Sequence, residues 1–251
     1  MRYGIDCASV SPDPRQLLQR HFSFIVRYLS YPGNPKNLTK AEAELAHKYG
    51  VDVVTVFEST GTRARDGYAA GVQDAKAAEA QLHSLGAPVG VVVYFAVDYD
   101  PAGNSHLTDP YFDGAASVLG KARVGVYGGY EVIARQGTRG YEFLWQTYAW
   151  SGWPTTKWYP KAQLRQYSND HTVLGVGVDL NQALTPNFGQ WFYVPPVKKP
   201  SPKPHKITLP KILKKNKPAP KQLGRWKERP TKIRPGYRVE IINGWYWEVK
   251  R

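Results

Sequence analysis

Residues 89–100 read VGVVVYFAVDYD, a β-branched and aromatic run that finishes on two aspartates, Asp98 and Asp100. The composition is that of a strand. Similar short runs precede it at 2–6 (RYGID), 24–28 (FIVRY) and 51–58 (VDVVTVFE), and follow it at 122–127 (ARVGVY), 142–147 (EFLWQT), 163–167 (QLRQY) and 176–180 (VGVDL). Helical patterns separate them. Residues 39–49 open with Thr39 and, three positions on, Glu42, a capping-box pair. Residues 69–86 are Ala-rich and stop at Gly86-Ala87-Pro88, 108–120 stop at Gly120, and 129–137 form a shorter pattern. The stretches 148–162 and 168–175, rich in Trp, Gly and Pro, are read as connections rather than helices. Strands alternating with helices imply parallel strands joined by crossovers. Eight of them predict a closed (β/α)8 barrel. About 190 residues is short for that fold, so some helices should be reduced. A doubly wound sheet would need a glycine-rich phosphate loop after an early strand. GIDCAS at 4–9 is not one.

The chain is expected to divide into a barrel over 1–194, a Lys/Pro-rich linker over 195–222 and a small basic aromatic β module over 223–251. Of the 34 Lys/Arg and 20 Asp/Glu, residues 1–194 hold 17 of each, so the tail carries the whole net charge of +14. Such a tail is an electrostatic tether for a polyanion. The linker has eight prolines and nine lysines without an acidic residue, the composition of an extended spacer. In VEIINGWYWEV, Asn243-Gly244 between alternating runs predicts a two-residue hairpin. No apolar run of about 18 residues predicts a membrane span. The N-terminus, MRYGIDCASV, lacks the pattern of a secretory signal. Synthesis in the cytoplasm is therefore expected, with any action outside it following lysis or separate export.

In a parallel barrel, functional groups gather at the C-terminal ends of the strands. Asp6, Glu58, Asp98, Asp100 and Asp179 fall at such ends, as do Tyr127, Gln146 and Gln166. Clustered carboxylates repel when ionised, so at least one should hold its proton to a raised pH. An acid beside an ionised partner is what glycoside cleavage requires. Asp98 and Asp100, two apart on an extended segment, would point to one side at roughly 7 Å between Cα atoms. A lone strand-end Asp commonly caps a helix or fixes a loop. The recurrence at successive strands favours a site, whereas Asp13, Asp66, Asp109 and Asp113 are read as caps or solvent-facing groups. Trp145 is read as packing, and Trp150 and Trp153 as glycan contacts. The six His are scattered, and neither HExxH nor paired Cys-x-x-Cys occurs, so no metal site and no cofactor are expected. Cys7, the single cysteine, is read as a structural thiol.

GIDCAS, YFAVDYD, VGVYGGY, LWQTYAW, LRQYSN (164–169) and VDLN (178–181) resemble, in order, the strand motifs of glycoside hydrolase family 25, the lysozyme-type muramidases. With VRYLS at 26–30 and the Glu58 strand, the chain resembles still more a related glycoside-hydrolase-like family of actinobacteria and their phages, whose activity is unassigned. The resemblance covers roughly residues 2–190. It implies a peptidoglycan-directed hydrolase of the endolysin kind. Asp6 would line the floor, Asp98 and Asp100 would be the paired acids, Tyr127 and Gln166 would position the sugar, and Asp179 would close the carboxylate ring. Arg27, Tyr28, Gln146 and Trp150 are further expected substrate contacts. The muramidases carry a glutamate where this chain has Asp100. The shorter side chain moves the proton by roughly 1.5 Å, an error that can cost on the order of 100-fold. Either Asp100 works on a shifted substrate, Glu58 supplies the acid, or the domain binds glycan without cutting it. The expected partner is wall peptidoglycan, with anionic wall polymers on the tail. Nucleic acid is disfavoured because no groove-reading motif is present. The chain is expected to be a monomer.

Overall fold

The computed structural model describes residues 1–152, 155–191, 225–226, 235–242 and 245–250. Eight strands close a barrel in chain order: β1 (Arg2–Cys7), β2 (Phe22–Leu29), β3 (Asp52–Phe57), β4 (Val93–Ala96), β5 (Val124–Gly128), β6 (Phe143–Thr147), β7 (Leu164–Val173) and β8 (Val176–Ala183). Five helices cross between the first six strands: α1 (Pro14–Gln19), α2 (Lys40–Lys48), α3 (Gly67–Leu85), α4 (Asp109–Leu119) and α5 (Tyr130–Thr138). The described residues between β6 and β7 form no helix. The barrel is therefore (β/α)8-like with its helices missing on one side, as its length required.

Local signals explain the helix ends. Thr39 accepts from the Glu42 backbone N–H, and Glu42 reaches back to the Thr39 N–H, so the capping box is complete. Gly86 ends α3 in the left-handed region, φ 73°, where a side chain would be strained. The six-residue α1 is too short for a periodic pattern; Asp13 caps it and Pro14 starts it.

One strand departs from expectation. β8 runs antiparallel to both β7 and β1. Residues 168–175, read as a connection, instead extend β7 and turn back through Leu174 (φ 55°) and Gly175 (φ 81°), with Val173 opposite Val176. Two positive φ values in a two-residue loop make a type I′ turn, which returns the chain antiparallel.

Side chains alternate across the wall. Ile5, Ile25, Val53, Phe57, Phe95 and Val126 pack outward in the large core that also contains helix residues. Phe24, Val26, Val54, Val56, Tyr94, Tyr127 and Trp145 belong to the smaller cluster that fills the barrel. Two glycines make room for its rings. A Cβ on Gly4 would lie 2.4 Å from the Phe24 ring, and one on Gly125 would lie 2.6 Å from Tyr94. Tyr94 Oη donates to Phe188 O at 2.9 Å, plugging the end opposite the strand C-termini.

The chain separates into two compact units, Met1–Val197 and Lys198–Arg251. In the second, β9 (Arg225–Trp226), β10 (Tyr237–Ile242) and β11 (Trp245–Lys250) form an antiparallel sheet in the order β10-β11-β9, with Ile242 opposite Trp245. The linker 195–222, the Asn243-Gly244 turn and Trp153 lie outside the described residues.

Gly125→Val should destabilise the barrel by about 3 kcal/mol, the upper end of ordinary overpacking. Gly177→Val, on β8 where an added Cβ meets nothing within 4 Å, should stay within about 0.5 kcal/mol of the parent. Urea midpoints at unchanged slope would read both.

Candidate active site

The reversal of β8 builds the floor of the mouth. Asp6 and Asp179 are direct partners across the β1–β8 ladder, and Asn181 lies opposite Gly4. Asp6 is 3% exposed. Its Oδ2 accepts from Gln166 Nε2 at 2.9 Å and from Asn181 Nδ2 at 2.6 Å. Gln166 Nε2 also reaches Asp179 Oδ2 at 3.2 Å, and Gln166 Oε1 accepts from Tyr127 Oη at 2.9 Å. Trp145 Nε1 donates to Asn181 Oδ1 at 2.8 Å, which fixes the amide so that its NH2 faces Asp6. Asp179 Oδ1 accepts from the Asp170 backbone N–H at 2.9 Å. Asp170 itself sits at φ 61° in the irregular part of the β7–β8 ladder.

The rim carries the remaining acids. Glu58, one residue beyond β3, is half-buried, and its Oε1 accepts from Lys36 Nζ at 3.2 Å. Lys36 Nζ also lies 5.1 Å from the centroid of the Tyr28 ring. Asp98, two residues beyond β4, is exposed; its Oδ1 accepts from Trp150 Nε1 at 3.3 Å. The Asp98 backbone N–H donates to Gly61 O at 3.1 Å, joining the loops that follow β3 and β4.

Burial first, and then the Asp179 charge, push Asp6 up to about 7, against the two amide hydrogen bonds. Burial also raises Glu58; Lys36 opposes this, and Asp98 adds to it. Asp179 is raised by burial in spite of the Asp170 N–H. Tyr28 is raised by burial and then by Asp6, Glu58, Tyr127 and Asp98, so these groups share one field. The arrangement raises the proton affinity of three carboxyl groups gathered at one mouth, the electrostatic feature on which acid-assisted bond cleavage draws.

The structure thus brings together Asp6, Glu58, Asp98, Asp179, Tyr28, Tyr127 and Gln166, with Trp150 beside Asp98. Three expected residues stand elsewhere. Arg27 is fully buried on the outer face of β2, where Nε pairs with Glu42 Oε1 at 3.1 Å and Nη1 donates to Cys7 O. It shares parity with Ile25 and Leu29, so it faces α2 rather than the mouth. Gln146 is also fully buried and faces outward. It donates to Ser151 Oγ at 2.9 Å and accepts from the Tyr159 N–H at 2.7 Å, holding the loop that carries Trp150. Asp100 is exposed, and its Oδ1 accepts from the Ala102 N–H at 2.8 Å. β4 ends at Ala96, so the strand alternation that was to align Asp98 with Asp100 does not reach them. Asn181 and Lys36 were missed. Asn181 shares parity with Asp179 and was legible from it, whereas nothing local marks Lys36. Cys7 is buried, and burial pushes its thiol up to about 12, the state of an inert structural group. No group of three metal-ligating side chains occurs among the described residues.

Residues 15–183 match the family described as Rv2525c-like, glycoside hydrolase-like domain. The Mycobacterium tuberculosis protein Rv2525c, provisionally named a peptidoglycan hydrolase, is 32% identical over 181 residues, spanning 66% of this chain and 74% of its own. The crystal structure of Tat-secreted Rv2525c with L-tartrate superposes with a TM-score of 0.68 at 29% identity, over 76% of this chain and 98% of that one. The catalytic domain of endolysin ply40 from bacteriophage P40 of Listeria monocytogenes shares the fold, with a TM-score of 0.51 at 16% identity over 73% and 93% of the two chains.

Asp6 makes stability pH-dependent. Its folded-state pKa of about 7 lies above the ordinary 3.8, so the native state holds the proton more tightly than the unfolded chain. That contribution is complete below about 4 and is lost as pH rises through about 7, roughly 4 kcal/mol at most. Asp6→Asn keeps an acceptor for both amides. It should flatten the fall in stability between pH 4 and 8, measured by denaturant titration at each pH.

Proposed function

The chain belongs to the Rv2525c-like, glycoside hydrolase-like family, and we propose that its barrel hydrolyses β-1,4 glycosidic bonds of peptidoglycan, in the manner of a muramidase. The observation that carries this reading is the shared field of Asp6, Glu58, Asp98 and Asp179 at the strand C-termini, with burial raising the proton affinity of Asp6, Glu58 and Asp179. Glu58 is the proton donor. It is half-buried, raised by burial and within the field of Asp98, and it stands on the rim rather than in the floor. Substrate displaces Lys36, whose ammonium otherwise favours the ionised form. As the glycosidic C–O bond breaks, the Glu58 proton passes to the leaving oxygen. The Asp98 carboxylate, oriented by Trp150 Nε1, faces the positive charge that develops at the anomeric carbon. Water then adds its hydroxyl to that carbon and restores the Glu58 proton. Tyr127 and Gln166 hold Asp6 and Asp179 in place beneath the sugar, and the Trp150 ring offers it an apolar face.

The basic tail binds anionic wall polymers and retains the enzyme on its substrate. Support comes from the confinement of the +14 net charge to residues 195–251. Rv2525c itself is Tat-secreted.

A second reading is a glycan receptor that does not cut. It is favoured by Asp100 being committed to its own turn and by the Lys36–Glu58 pair.

Glu58→Gln and Asp98→Asn should each reduce release of reducing sugar from wall preparations by about 100-fold or more, with unchanged melting. Asp100→Asn should stay within a few-fold of the parent. Wall binding without release by the parent protein would establish the receptor reading instead. Retention on insoluble walls should weaken steeply between 50 and 500 mM salt, concentrations chosen to span strong and weak screening. Purified wall polyanion should compete for the tail better than duplex DNA at equal charge; the reverse order would refute the tail assignment.

A further inference from the structure

Beside the mouth lies a hollow of about 460 Å³, lined by Arg65, Tyr99, Pro101, Asn104, Leu107 and Pro110. It opens one residue from Asp98, because Tyr99 is the next position in the chain. Arg65 is exposed, and its Cζ stands 4.3 Å from the Tyr99 ring centroid. Neighbouring charges are already engaged. Asp66 pairs with Arg63 at 2.9 Å, and Arg63 also binds the buried Asp74 at 3.1 Å. Asp109 takes Arg135 and Arg139. Asp100 holds the Ala102 N–H. Arg65 makes no ion pair among the described residues, and its guanidinium is held in place only by the ring.

Three features narrow the ligand. The Tyr99 face is covered by Arg65, so it is not a free platform for stacking a sugar. The guanidinium fork matches a carboxylate bidentately. Leu107 at 59% exposed, with Pro101 and Pro110, gives an apolar wall suited to short aliphatic side chains. In a peptidoglycan strand the sugar backbone carries no fixed charge, and the carboxylates belong to the peptides attached to it.

We propose that this groove binds the carboxylate-bearing stem peptide of the strand whose glycan occupies the mouth, with Arg65 as the carboxylate receptor and Tyr99 as its positioning residue. The inference rests on the peptidoglycan reading above. It makes the protein a reader of peptide-substituted glycan and places the attached peptide on the β4 side of the cleaved bond.

The test uses the full chain and N-acetylmuramyl dipeptide, in free-acid form and with its carboxyl groups amidated, followed by NMR titration. The free acid should bind the parent about ten-fold more tightly than the amide, a difference near 1.4 kcal/mol. Arg65→Gln should abolish that difference, and Arg65→Lys should retain part of it. Equal binding of acid and amide by the parent, or an undiminished preference in Arg65→Gln, would overturn the proposal. Because Arg65 is an exposed surface residue, melting of the variants should match the parent. Hydrolysis separates this inference from the function it rests on. If walls are cleaved equally well with and without their peptides, the groove fails and the hydrolase stands. If the Arg65-dependent preference persists without any cleavage, the groove stands and the hydrolase reading fails.

Discussion

The antiparallel seam that closes the barrel governs what the mouth can contain. Had β8 entered parallel, a crossover would have been needed between β7 and β8, and Asp179 would have faced a different neighbour. The type I′ turn at Leu174-Gly175 instead folds β8 back along β7, so Asp179 and Asn181 arrive beside Asp6. Gln166 on β7 and Asn181 on β8 then donate to the same oxygen of Asp6. A buried carboxyl without such donors would be far costlier to ionise. With them, burial and the Asp179 charge push Asp6 up only to about 7, so the floor can exchange a proton near neutral pH.

The acids around this floor differ chiefly in access to water. Asp6 is enclosed, Asp179 and Glu58 are half-buried, and Asp98 is exposed. Desolvation favours the neutral form, so burial raises the proton affinity of Asp6, Asp179 and Glu58. Repulsion among them falls whenever the inner member is protonated. Protonation of Asp6 therefore relieves part of the cost of gathering four carboxylates, while the two amide N–H groups limit the cost of ionising it. The supporting loops are tied down from outside the mouth. Gln146 and Ser151 anchor the Trp150 loop. Buried Asp74 takes Arg63, Tyr31 and Tyr111, fixing the segment after Glu58. Such ties keep side chains near a productive geometry before substrate arrives.

All eight strands and the four longer helices were legible because each carries its own period, cap or stop. Thr39 with Glu42 is the clearest case, since both halves of the capping box formed. The direction of β8 was not legible. Leu-Gly is a weak turn signal, as leucine pays a steric penalty at φ 55°, and only the closing of the barrel selects it. The residues outside the mouth were more readable than the strand-end rule allowed. Parity with Ile25 and Leu29 sends Arg27 outward, and parity with Leu144 does the same for Gln146. Position at a strand end says how high a residue stands, and parity says which way it faces. Asp100 needed the strand's end point, which local propensity locates poorly in a run that stays apolar to Val97. Lys36 reaches the mouth from a loop between β2 and α2, and no local pattern encodes that reach.

Parity and burial together also argue for the division of labour among the acids. Burial raises the proton affinity of Asp6, yet Asp6 lies under Gln166 and Asn181, whose NH groups occupy Oδ2. A donor must touch the leaving oxygen, and a group 3% exposed in the floor cannot do so without opening the amide bridge. Glu58 is the only member of the set that combines a raised proton affinity with a place on the rim and a side chain one methylene longer than Asp. Lys36 complicates that role in the free state, but its side chain is 41% exposed and so accessible to displacement. On the hydrolase reading, displacing Lys36 would remove the one neighbour that lowers the proton affinity of Glu58 and leave burial and Asp98, which both raise it.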